Sequence, residues 1–205
     1  MVATSSPFCR VMCLALLGPG AAWAVDVTVT VTDMTGRLLP DAVVSLEPAS
    51  GRLPAKPMPT AEISQAQRQF SPRVTVITTG TAVTFPNHDT VRHHVYSFSP
   101  AKTFELKLYA GVPNVPVVFD KPGVAVLGCN IHDQMSAWVV VVDSPFHART
   151  AESGQARVAS VPAGAYRIRT WHPGLAPGAE PATTALTVGA AEVSASVRIA
   201  ATAAP

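Results

Sequence analysis

Apolar and polar residues alternate along much of the chain. The clearest run is Val25-Asp26-Val27-Thr28-Val29-Thr30-Val31-Thr32. A period of two sends successive side chains to opposite faces, so this run predicts a half-buried strand. Residues 33–37 read as a turn and 41–46 as a second strand. Further strands are expected over 73–78, 81–85, 93–99, 103–108, 115–119, 124–127 and 137–142. Turn formers such as Thr79-Gly80, Pro86-Asn87, Ser99-Pro100 and Pro122-Gly123 separate most of them. Residues 154–170 predict two strands around a turn at Pro162-Ala163-Gly164, and 183–188 and 192–199 two more, before a frayed end from 200 on. Valines 139–142 do not alternate. Such a run marks a strand covered on both faces, and it is far too short to cross a bilayer. With 19 Pro and 13 Gly and no helical period, long helices are not expected. The pattern predicts an all-β chain of short strands packed as β-sandwiches.

Composition changes this picture mainly at the N-terminus. Arg10, the apolar run from Val11 to Leu17 and Ala22-Trp23-Ala24 have the order of a secretory leader with cleavage after about Ala24. Periplasmic or secreted location follows as an expectation, and no later stretch reads as a membrane span. The formal net charge is +2, and loss of Arg10 with the leader lowers it by one. That balance gives no reason to expect nucleic acid or an anionic membrane as partner. Cys9 and Cys13 leave with the leader, so Cys129 is the one thiol of the processed chain. It has no internal disulfide partner, and in an oxidising compartment metal ligation is the simplest account of it.

The chemistry concentrates in Cys129-Asn130-Ile131-His132-Asp133-Gln134-Met135. A thiolate, an imidazole and a thioether recur at three-residue steps, and that soft set selects copper. A blue-copper centre takes two His, one Cys and a weak axial Met. The second imidazole must come from another segment, and Arg92-His93-His94-Val95 offers it. His93 and His94 lie on opposite faces of the predicted strand, so one of the two ligates. Asn87 and Asp89, in the preceding turn, are candidates to support the ligands. His88, His147 and His172 are given no metal role.

The stretch from about 66 to 142 resembles the cupredoxins, most closely their plastocyanin- and amicyanin-like members. The motifs that carry the likeness are Cys129-x-x-His132-x-x-Met135 before the last strand and His93-x-Val95 upstream. The resemblance implies a Greek-key sandwich in which His93, Cys129 and His132 are equatorial ligands and Met135 is axial. It further implies one copper per chain cycling between Cu(I) and Cu(II), one-electron transfer, and a redox protein such as a c-type cytochrome or a periplasmic dehydrogenase as partner. His132 would emerge through an apolar rim, for which Pro113, Val115 and Ile131 are candidates. Plastocyanin-like proteins typically carry Asn after the upstream ligand, where this chain has His94. The choice between His93 and His94 stays open here, with alignment favouring His93.

Residues 36–46 and 150–168 resemble separated pieces of a carboxypeptidase regulatory-like (transthyretin-like) sandwich. The expected organisation is a leader over 1–24, the first part of that sandwich over 25–50, and a Pro-rich linker over 51–65. The copper-binding sandwich follows over 66–143, then the second part of the outer sandwich over 144–200 and a tail over 201–205. The cupredoxin-like unit thus lies inserted in, or next to, a smaller transthyretin-like one.

Other functions fit less of the sequence. A periplasmic copper carrier or scavenger would use the same ligands, but Met34, Met58 and Met135 are the only methionines after the leader. A hydrolase built on Cys129 and His132 would leave Met135 without a role, so no enzyme is expected. A metal-free adhesive or sugar-binding module leaves the whole cluster unexplained.

Overall fold

The computed structural model describes residues 24–202. The expected leader lies outside these residues except for Ala24, which opens the first strand. Among the described residues every regular element is a strand, and no helix is long and apolar enough to cross a membrane. In chain order the first strands are β1 (Ala24–Thr32), β2 (Val43–Pro48), β3 (Ala61–Glu62), β4 (Ser64–Ala66), β5 (Gln69–Ser71) and β6 (Val74–Thr78). Next come β7 (Thr81–Thr84), β8 (His93–Ser99), β9 (Lys102–Tyr109), β10 (Val117–Phe119), β11 (Gly123–Gly128) and β12 (Ser136–Val142). The last are β13 (His147–Arg149), β14 (Gln155–Pro162), β15 (Gly164–Trp171), β16 (Ala182–Val188) and β17 (Val193–Arg198).

The strands pair in two groups. The sheets β14-β1-β17 and β13-β2-β15-β16 take strands from both ends of the chain. The sheets β10-β7-β3 and β6-β12-β11-β8-β9, with the β4-β5 hairpin, take strands from the middle. Alternation explains the first group. Val27, Val29 and Val31 of β1 are fully buried and face Val44, Leu46 and Ile168 across one core. The middle group is a second β-sandwich around Ile77, Phe85, Val95, Phe119, Leu127 and Val139.

β12 does not alternate because both its faces are covered. Ala137, Val139 and Val141 point into the middle core. Trp138, Val140 and Val142 pack with Val43 of β2 and Trp171 of β15, in a seam that joins the two groups.

Three differences from the sequence expectation have local causes. Short strands β3 and β4 occur at the end of the Pro-rich stretch, too short to show a period. β13 was not expected either; three residues pair with β2. The end is not frayed at Ala201 and Thr202: Ala201 joins the first core, and the Thr202 N–H donates to the Gly174 carbonyl at 2.9 Å.

Candidate metal centre

Two strands paired side by side close the loop that carries the candidate donors. β11 and β12 pair antiparallel as far as Gly128 and Ser136, so the residues between them form one closed loop. Cys129 follows the last residue of β11 and Met135 precedes the first of β12, and both are buried. The Met135 N–H donates to the His132 carbonyl at 2.9 Å, which tightens the turn and leaves His132 half-buried near the loop tip. Gly128 is required by close approach: a Cβ there would lie 2.7 Å from Cζ of Tyr96.

The upstream imidazole comes from β8. His93, Val95 and Ser97 are fully buried on its inner face, while Phe98 on the outer face is 75% exposed. The β8–β9 register shifts between His93 and Val95, an irregularity of the kind that re-aims side chains beside functional sites. His93 Nδ1 lies 3.9 Å from Cys129 Sγ, and His132 Nδ1 lies 3.9 Å from the same sulfur. The two rings are 5.0 Å apart between centroids. One donor atom from each of the three residues falls within 4.8 Å of the others.

His94 points elsewhere. Its Nε2 lies 2.9 Å from a Glu105 carboxylate oxygen, although neither ring nitrogen has a hydrogen bond of good angle, and its ring lies 5.5 Å from that of Tyr96. Met135 shares with Cys129 the core and the floor of an open cavity of about 620 Å³.

A polar shell holds these groups. His93 Nε2 lies 2.7 Å from Asp89 Oδ2. The Arg68 N–H bonded to Asp89 is the main cause that holds this carboxyl below the usual carboxylate range; His93 and the Gln67 N–H act the same way. Asn87 is buried and ties the loop: its Nδ2 donates to the Val91 and Tyr109 carbonyls, and its Oδ1 accepts from the Asp89 N–H.

Two further polar residues carry no mark in the sequence. Fully buried Gln65 donates to the Tyr109 hydroxyl, which itself donates to the Phe85 carbonyl at 2.6 Å. Burial pushes the Tyr109 hydroxyl up to about 12, with the neighbouring Cys129 adding to the shift. A glutamine in a short strand and a tyrosine at a strand end are ordinary residue types, and only packing brings them to the site. Of the expected rim, Val115 is 73% and Ile131 48% exposed, and Pro113 is half-buried.

The donor set fits a metal ion. Metal–sulfur and metal–nitrogen bonds of about 2.3 and 2.0 Å across one ion subtend roughly the S···N separations seen here. Those separations are long for hydrogen bonds. One buried thiol, one buried imidazole and one half-buried imidazole match a copper or zinc site.

No protein-family model matches the chain, and no curated protein matches it. Among solved structures, the chain is similar to the reduced Cu(I) form of an amicyanin mutant at 16% identity, over 42% of this chain and 92% of that one, with a TM-score of 0.38. It is similar to a purple cupredoxin from Nitrosopumilus maritimus at 26% identity, over 40% and 99%, with a TM-score of 0.35. A Cu-containing nitrite reductase from Thermus scotoductus SA-01 is similar at 19% identity, over 56% of this chain and 28% of that one, with a TM-score of 0.38.

Proposed function

We propose that the protein is an exported blue-copper protein that carries single electrons between redox partners in the periplasm. The observation that carries this reading is the convergence of His93 Nδ1 and His132 Nδ1 on the buried Cys129 sulfur. Copper bound there supplies a one-electron couple between Cu(II) and Cu(I).

The chain's own groups do the rest. Cys129 would hold the ion through its sulfur, as the thiolate form that ligates metals. His93 keeps its proton on Nε2, facing Asp89, and so presents the Nδ1 lone pair. Met135 would be a weak thioether donor, tuning the potential more than holding the ion. Strands anchor both ends of the ligand loop, so the donors keep their places when the charge of the ion changes. His132 is the ligand nearest solvent, and Val115 and Ile131 supply exposed apolar surface for a partner such as a cytochrome. Cys129 is 3% exposed, a poor position for attack on a substrate, which favours a carrier over an enzyme.

The test is metal analysis with visible and EPR spectra of protein expressed with copper. One copper per chain with an intense thiolate band is expected, and Cys129→Ser is expected to abolish both. A stoichiometric zinc site, or unchanged copper content in that variant, overturns the proposal. One copper per chain without the thiolate band favours a copper scavenger.

A further inference from the structure

We infer that Asp89 is a positioning residue for His93, and that the turn of the β4–β5 hairpin holds Asp89 in that role. The inference rests on the copper reading for its effect on the metal, but its geometry stands on the chain alone.

His93 is fully buried and touched at both nitrogens. Nδ1 faces Cys129 at 3.9 Å and Nε2 faces Asp89 Oδ2 at 2.7 Å. The carboxylate is itself gripped by backbone. Its Oδ1 accepts from the Gln67 N–H at 2.7 Å, and its Oδ2 from the Arg68 N–H at 2.9 Å. These two residues link β4 to β5, and both are left-handed, with φ of 54° and 58°. A two-residue link with both φ positive is the hairpin turn that normally takes Asn and Gly. Here Gln and Arg occupy it, although side-chain-bearing residues disfavour the left-handed conformation. The conformation aims two consecutive N–H groups at one anion, as backbone nests do.

The hairpin is tied by further bonds to the loop between β7 and β8, which carries Asp89. The Gln65 N–H donates to the Pro86 carbonyl, and the His88 N–H to the Gln65 carbonyl. The chain of contacts therefore runs from turn to carboxylate to imidazole to the Cys129 sulfur.

Two consequences follow. The bond to Asp89 selects the tautomer with Nδ1 free and fixes the ring's rotation. The fixed negative charge, one imidazole away from the ion, favours the more positive oxidation state. Removing such a partner typically weakens metal binding 10–100-fold.

The experiment combines two arms. In the first, 15N NMR of the unmodified apoprotein reads the His93 tautomer. A slowly exchanging Nε2–H is expected, and Asp89→Asn should shift that resonance and speed its exchange. In the second, Cu(II) and Cu(I) affinities and the reduction potential are compared between the protein and Asp89→Asn. Cu(II) binding should weaken about tenfold or more while Cu(I) binding changes less. A tenfold loss of preference for Cu(II) raises a one-electron potential by about 59 mV. Asp89→Glu, which keeps the charge, should recover part of both effects. An apoprotein with the proton on Nδ1 of His93 overturns the inference, as does an Asp89→Asn protein with unchanged Cu(II) affinity and potential. If the protein takes up no copper, the electron-carrier proposal fails alone, and the tautomer still decides whether Asp89 positions His93.

Discussion

The histidines show how much a single residue's surroundings decide. His93 and His172 are both buried, and each uses both ring nitrogens, but to different ends. His172 Nε2 donates to the Pro40 carbonyl at 3.1 Å, and its Nδ1 accepts from the Gly174 N–H at 3.0 Å. A neutral ring satisfies both bonds, and a protonated ring loses the acceptor. Burial accordingly holds the His172 pKa below its ordinary 6.5, and burial acts the same way on His147. In the window below 6.5 the unfolded chain takes up a proton that the folded chain excludes. The stability from this neutral histidine is therefore complete above about 6.5 and is lost as pH falls. Melting temperatures measured from pH 8 to 5 should decline below that point, and His172→Asn should flatten the decline in part, His147 supplying the remainder. A decline of equal steepness in the variant would discard this account. The same scale explains the uncertainty over His93 and His94. Alternation says that one turns inward, but Tyr96 and Phe98 make the outer face of β8 look as apolar as the inner, so the pattern alone does not say which.

At the scale of elements, the end of β11 is tuned for contact rather than for strand propensity. Glycine weakens a strand interior, yet Gly128 sits where β11 meets β8, opposite Tyr96. Its missing side chain lets the Tyr96 ring lie against the backbone just before Cys129. The ring is flanked by those of His94 and Phe98, at 5.5 and 5.1 Å. Gly128→Ala is expected to force it aside, at a cost of about 1–3 kcal/mol for overpacking. Urea denaturation measures the cost, and a shifted thiolate band in the copper form would report strain carried to Cys129. A variant as stable as the parent would show that the ring moves freely. The strand pattern made most such elements legible: the expected 93–99 strand coincides with β8, and the turn at Ala163 lies where the proline and glycine place it. β3, β4 and β5 were not legible, since two or three residues display no period, and the Gln67–Arg68 link lacks the Asn and Gly that announce such a turn.

On the scale of the whole molecule, the two groups of sheets share a seam. Trp138 and Trp171 enter it from opposite sides, each less than 10% exposed, and the Arg73 guanidinium lies 5.0 Å above the Trp138 ring. The seam covers the outer face of β12, whose inner face packs into the middle core. Trp171→Ala should cost about 3–5 kcal/mol, read by denaturant unfolding, while the folded variant keeps the copper spectrum. A spectral change would mean that the seam also sets the site.

The chain alone dictates its strands and its candidate donors. A period of two is a local property, and Cys129, His132 and Met135 stand close enough for one loop to present them. Tertiary structure decided which distant residues join them. His93 is 36 positions from Cys129, and Arg68 is 21 from Asp89. Such meetings depend on how strands pair across sheets, and packing of the whole core, rather than any short run of residues, sets that pairing.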